Sequence, residues 1–221
     1  MSLIVKNLNF KYKEKEILKD INLEFQKGKM YAILGRNGAG KSTFLKSIAK
    51  ILKPKGEIIF YENIDNLSVK EFAKKIAFLS QIQNNSSLSV YEFVMLGRKP
   101  HFRFLPKLTD KKTVERVLEK LNLKEKKKIP LNSLSGGERQ RAAIARILAQ
   151  NTEVILLDEP TNNLDIKYQI EIIKFLREIK EDKIIISVIH DINLALKYFD
   201  EYIFLKNGKI INKGNQEMVN E

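Results

Sequence analysis

The sequence predicts an α/β fold with a mainly parallel sheet, an N-terminal antiparallel β part and an inserted helical part. Three observations carry this. Strand-like runs dominate the first third of the chain, apolar strands alternate with amphipathic helices in the last third, and the stretch between them is helical in pattern. The 221 residues, 43% hydrophobic and 30% charged, suit one domain with a real core.

Ser2 to Asn9 alternates loosely, and Asp20–Phe25 and Met30–Leu34 are extended runs. Gln26-Lys27-Gly28-Lys29 between them reads as a hairpin-like turn. A helix is expected over Ser42–Lys53, with Phe44, Ile48, Ile51 and Leu52 on one face and Pro54 as its stop. Gly56–Tyr61 is a further strand, and Ser68-Val69-Lys70-Glu71 is a capping box that starts another helix.

From Gln81 to Ser133 the pattern turns helical, with Val114, Val117, Leu118 and Leu121 at helical spacing. A helix near Gly137–Gln150 then leads to a buried strand, Val154–Leu157. Another near Lys167–Lys180 leads to a second, Ile184–Ile189. Strands that are apolar throughout need both faces covered, which parallel sheets provide. Asn207-Gly208, between Tyr202–Leu205 and Lys209–Ile211, is a type I′ hairpin turn.

Composition sets outer limits on function. No apolar run approaches the roughly 20 residues that cross a bilayer, and the N-terminus lacks the pattern of a signal peptide. Any membrane role is therefore expected through a partner. Cysteine is absent, so disulfides and thiolate metal sites are excluded, and His101 and His190 are the only histidines. The net charge of +13 fits nucleic acid, an anionic membrane surface or a polyanionic ligand. The scatter of the lysines favours solvated faces instead, and Lys124-Glu125-Lys126-Lys127-Lys128 reads as a solvated connector.

Gly35-Arg36-Asn37-Gly38-Ala39-Gly40-Lys41-Ser42 is a phosphate-binding loop in the right context, an apolar strand before and a helix after. Its glycines let backbone N–H groups curl toward phosphate oxygens, and the helix presents its positive end to the same anion. Lys41 supplies charge for the β and γ phosphates, and the Ser42 hydroxyl suits Mg²⁺. Asp158 and Glu159 end the strand Val154–Leu157, at the edge where open α/β sheets bind ligands. Asp158 is expected to hold Mg²⁺, and Glu159 to orient or deprotonate the attacking water. Leu134-Ser135-Gly136-Gly137-Glu138 has the logic of a second anion loop at a helix start. One chain has no need of two γ-phosphate cradles, whereas a head-to-tail pair does. The plainer alternative is a simple N-cap.

Leu134–Glu138 resembles the signature motif of ABC ATPases, and other motifs match that family in order. Tyr12 resembles the adenine-stacking aromatic, Gln81 the Q-loop glutamine, Pro160–Asp165 the D-loop, and His190 the switch histidine. The resemblance covers nearly the whole chain. It implies a single ABC ATPase domain over residues 1–221, a P-loop NTPase core of RecA type with a helical subdomain at about 82–150. It implies ATP and Mg²⁺ as ligands. ATP contacts fall to Tyr12, Gly35 through Thr43, and, from a second subunit, Ser135, Gly136, Gly137 and Glu138, with Asp165 communicating across the dimer. Ser42, Gln81 and Asp158 are the implied metal ligands, and Glu159, His190 and Gln81 the implied catalytic set.

Val90–His101 and His190–Leu196 resemble ATPases of iron–siderophore, haem and cobalamin importers. The implied partners are a second copy, integral membrane permease subunits and, indirectly, a substrate-binding protein. No nucleic acid partner is expected. The implied place is peripheral, on the cytoplasmic face of the cell membrane. A zinc or manganese importer ATPase, or a soluble ABC ATPase acting on nucleic acid or ribosomes, stands as the alternative. Glu138 replaces a frequent Gln, Ser80 a frequent Pro, and the end of the chain soon after Gly214 argues against an appended regulatory domain.

Overall fold

The computed structural model describes residues 1–80, 86–162 and 164–215. Its centre is a six-stranded sheet. β3 (Lys29–Leu34), β6 (Ile76–Leu79), β7 (Val154–Asp158), β8 (Ile184–Val188), β9 (Glu201–Lys206) and β10 (Lys209–Asn215) lie in the order β10-β9-β3-β8-β7-β6. All neighbours are parallel except β10, which pairs antiparallel with β9 through the Asn207-Gly208 turn. Both turn residues have positive φ, as the Asn-Gly pair predicts.

The continuous apolar strands are explained by the two faces of this sheet. Val154 and Leu156 of β7 enter one core and Ile155 and Leu157 the other. β3 divides likewise, with Tyr31 and Ile33 on one side and Met30, Ala32 and Leu34 on the other. One core lies under a second, antiparallel sheet: β1 (Ser2–Tyr12), β2 (Lys15–Gln26), β4 (Lys55–Phe60) and the short β5 (Glu62–Asn63), ordered β2-β1-β4-β5.

The turn at Gln26–Lys29 is not a hairpin. β2 and β3 belong to different sheets. Gly28, at φ +85°, carries the chain from one to the other, and its N–H donates to the Lys183 carbonyl at 2.8 Å. The helix after the phosphate loop, α1 (Lys41–Ile48), is also shorter than its sequence pattern. Lys50 takes φ +56° and Ile51 and Leu52 donate back to the Lys46 carbonyl, so the helix closes before Pro54 is reached.

α2 (Val69–Lys75) begins in the expected capping box, Ser68 with Glu71. It runs directly into β6, which the sequence does not announce, because four apolar residues after a helix carry no period of their own. The second core is built by α3 (Val90–Met95), α4 (Leu108–Lys120), α5 (Gly136–Gln150), α6 (Ile166–Glu178) and α7 (Ile192–Tyr198). The Lys124–Lys128 stretch is not simply solvated. Lys124 pairs with Glu119 at 2.8 Å, Lys127 with Glu115 at 2.8 Å, and Lys126 with Glu138.

A tight 3-10 segment, Leu96–His101, ties α3 to the far end of α5. A Cβ on Gly97 would lie 2.1 Å from the Arg146 carbonyl oxygen, so only glycine fits. Arg98 is buried, pairs with Asp110 of α4 at 2.9 Å and donates to the Ala149 carbonyl at 2.8 Å. Burial would raise the Asp110 pKa, but the Lys107 N–H and the Arg98 guanidinium outweigh it and hold the carboxyl below its ordinary value.

Asp110→Ala leaves the Arg98 charge buried without its counter-ion. The expected loss is about 3–5 kcal/mol of unfolding free energy, measured by chemical denaturation. In the native chain the contribution is complete above the ordinary carboxylate pKa of about 3.9, and it is lost as pH falls through the lower folded value.

Candidate active site

Parallel register brings the carboxyl ends of β3, β8 and β7 level, with Ile33 beside Val188 and Val188 beside Asp158. The loops that leave these ends carry the phosphate loop, His190 and Glu159. They meet on a cleft of about 730 Å³ lined by Asn37, Gly38, Gly40, Lys41, Ser42, Thr43, Glu159 and His190.

Gly35, Gly38 and Gly40 all have positive φ, at 147°, 78° and 104°. At Gly35 a Cβ would also sit 2.2 Å from the Leu205 carbonyl oxygen, so the loop rests directly on β9. Arg36 accepts from the Ala39 N–H at 3.1 Å, and Ala39 accepts from Gly208, which pins the loop to the β9–β10 turn. α1 starts at Gly40 with no side-chain cap and no acid in its first turn. α2, α3 and α5 each open with a Ser–Glu capping box. The N–H groups of α1 are therefore left for an external anion.

Lys41 is 6% exposed, and its Nζ donates to the carbonyls of Gly35 at 2.7 Å and Arg36 at 3.1 Å. Burial lowers its pKa, and the charges of Glu159 and Asp158 only partly oppose this. A buried ammonium held only by neutral carbonyls gains from an incoming phosphate. Asp158 is 2% exposed and accepts from the Ser42 hydroxyl at 2.9 Å. Burial pushes its pKa up, Ser42 opposes, and the neighbouring Glu159 adds to the rise. Two hard oxygen donors at this distance, one a desolvated carboxylate, fit a divalent cation such as Mg²⁺ that takes its other ligands from phosphate and water.

Glu159 has φ +54°, a left-handed conformation that costs a non-glycine residue about 1–2 kcal/mol. This conformation follows directly on the end of β7, and Glu159 lines the cleft. His190 Nε2 lies 2.5 Å from Glu159 Oε1, so against an ionised carboxylate the imidazole carries its proton on Nε2. The Asn162 amide donates to the other oxygen. Gln140 of α5 donates to the Pro160 carbonyl at 3.0 Å, which steadies the same turn.

Other expected residues stand apart. Tyr12 is 49% exposed, packs edge-on against Phe10 and does not line the cleft. Its cross-strand partner Lys15 does, together with Ile17. Lys15 and Ile17 carry no motif and become visible only once β2 is folded against the loop, whereas Asn162, which also lines the cleft, lies within the Pro160–Asp165 motif. Ser135 and Glu138 form the capping box of α5, and Ser135 and Gly136 are exposed. A Cβ on Gly136 would meet nothing within 4 Å, so the space above this turn is open. These residues do not reach the cleft of their own chain. Asp165 is an exposed N-cap of α6. Gln81 lies outside the described residues.

Comparison with known proteins gives one answer at every level. The ABC transporter family profile matches residues 18–162. The uncharacterized ABC transporter ATP-binding protein MJ0089 of Methanocaldococcus jannaschii is 44% identical, over 100% of this chain and 88% of its own length. The probable siderophore transport system ATP-binding protein YusV of Bacillus subtilis is 40% identical, over 99% of this chain and 82% of its own. Among solved structures, the dimeric post-hydrolysis state of the ATP-binding cassette MJ0796 bound to ADP and Pi superposes with a TM-score of 0.85. It is 33% identical and covers 97% of this chain and 98% of that one.

Lys41→Ala removes the buried ammonium that lines the cleft. ATP affinity should fall by about tenfold or more, the value of a charge-assisted contact of about 1.5–3 kcal/mol. Titration with a fluorescent ATP analogue checks this, and unchanged affinity and turnover would reject the phosphate cradle.

Proposed function

The chain belongs to the ABC transporter family of ATPases, and from that premise we propose that it is the ATP-hydrolysing subunit of an importer for an iron–siderophore-class complex. The single observation that carries the chemistry is the meeting of Lys41, the Ser42–Asp158 pair and the Glu159–His190 pair on one cleft. The cargo class rests on relatives. Proteins named for siderophore and iron(3+)-hydroxamate import are 40% and 37% identical to it over nearly the whole chain.

Lys41 leaves the Gly35 and Arg36 carbonyls for the β and γ phosphates, and the uncapped N–H groups of α1 receive the same oxygens. Ser42 and Asp158, with Gln81 by the family pattern, would hold Mg²⁺, which supplies positive charge against the triphosphate. Glu159 accepts a proton from water as the water oxygen bonds to the γ-phosphorus and the bond to the β-phosphate oxygen breaks. His190 hands its Nε2 proton contact from Glu159 to a γ-phosphate oxygen. Asn162 keeps its grip on the other Glu159 oxygen.

The cleft is half of a site. Ser135, Gly136 and Gly137 are exposed or half-buried and do not line it. In the proposed head-to-tail dimer they close the partner's nucleotide, with Asp165 communicating across the interface. The helical part at about 82–150 then meets a membrane permease, on the cytoplasmic face of the membrane. No helix among the described residues is long and apolar enough to cross a membrane.

Glu159→Gln should bind ATP, accumulate dimers and lose turnover by about 10²–10⁴, the range of a general base. Near-normal phosphate release would remove Glu159 from that role. Ser135→Arg should abolish turnover while monomer ATP binding stays nearly intact, and lost monomer binding would show that this loop acts within its own chain. Co-purification from membranes, followed by identification of the attached permease and its binding protein, tests the cargo.

A further inference from the structure

The excess positive charge is not spread evenly. From Lys99 to Lys112 the chain holds five basic side chains, Lys99, Arg103, Lys107, Lys111 and Lys112, and one acidic one, Asp110. All five are exposed, while Asp110 is buried and spent on Arg98. None of the five enters an ion pair among the described residues. Among them stand Phe104, Leu105 and Leu108, which are 83%, 81% and 69% exposed. Single exposed apolar residues are ordinary, but three large ones within five positions form a protruding patch.

The patch has a firm base. Arg98 binds Asp110 and the Ala149 carbonyl, His101 lies 2.7 Å from the Gln150 carbonyl, and the Lys107 N–H donates to Asp110 at 2.8 Å. These contacts seat it at the carboxyl end of α5. Ser135 caps the opposite end of that 15-residue helix, about 22 Å away at the usual rise. The patch is therefore remote from the Ser135 turn that the proposed head-to-tail pair would bury.

We propose that Phe104, Leu105 and Leu108, ringed by Lys99, Arg103, Lys107, Lys111 and Lys112, form a docking tip for the headgroup layer of an anionic bilayer. The apolar side chains enter the boundary between headgroups and acyl chains, and the cations meet lipid phosphates. The long stems of lysine and arginine lie along apolar surface while their heads stay wet. Arg103 already sits over the Phe104 ring, at 5.5 Å. Nucleic acid would satisfy the cations but offers Leu105 and Leu108 nothing to enter. From the proposed function this takes only a location beside a membrane, and it is independent of the cargo.

The test is sedimentation of the full chain with phosphatidylcholine vesicles, with and without phosphatidylglycerol. Binding is expected only with the anionic lipid and should weaken with salt. Phe104→Ser/Leu105→Ser/Leu108→Ser and, separately, Lys107→Glu/Lys111→Glu/Lys112→Glu should each weaken it by about tenfold or more. Both variants should keep normal ATP binding, which shows that they fold. Equal binding to neutral vesicles, or full binding by the serine variant, overturns the proposal. So does binding of single-stranded RNA in place of vesicles, or a concentration-dependent dimer that the serine variant loses. Absent vesicle binding with normal ATP turnover removes the tip and leaves the transport reading standing.

Discussion

The constraint on which the molecule depends is the parallel register of β3, β8 and β7. Three strands that run the same way and end at the same level deliver three loops to one edge. The Ser42–Asp158 contact joins residues 116 apart in the chain and the His190–Glu159 contact residues 31 apart, and the register makes all four neighbours. The strands can run so deep because each alternates its side chains between two cores. A break in either core would move the loops before it touched a catalytic group.

That edge concentrates unbalanced groups. Lys41 and Asp158 are both buried, one with its pKa lowered and the other with its pKa raised by loss of solvent. Each is held by neutral partners, carbonyls for the lysine and a hydroxyl for the carboxylate. Glu159 stands in a strained backbone conformation between His190 and Asn162. Such an arrangement spends folding free energy to be ready for an anion and a cation. The compensation lies elsewhere, in capping boxes, the two cores and the Arg98–Asp110 tie.

Much of this was legible in the sequence, for physical reasons. Glycine spacing, a strand ending in two acids and a Ser-Gly-Gly helix start each have a local cause and leave a local trace. The sheet connectivity did not. The Lys27-Gly28 turn looks like a hairpin because a hairpin and a crossing between sheets ask the same of glycine. β6 is hidden because four residues cannot show a period. Lys15 and Ile17 reach the cleft through strand pairing, which no local pattern encodes. The charge on the 99–112 segment looked diffuse until burial removed Asp110 from the surface count.

The Ser135 turn caps α5 and does not line the cleft of its own chain, as the proposed head-to-tail pair requires. The most direct measurement mixes two inactive variants, Lys41→Ala and Ser135→Arg. In a mixed pair of the proposed head-to-tail kind, the intact phosphate loop of one chain would face the intact Ser135 loop of the other, so one composite site would be whole. Phosphate release well above either variant alone is the predicted result. A mixture that stays as inactive as its parts, although mixed pairs form, would contradict the shared site.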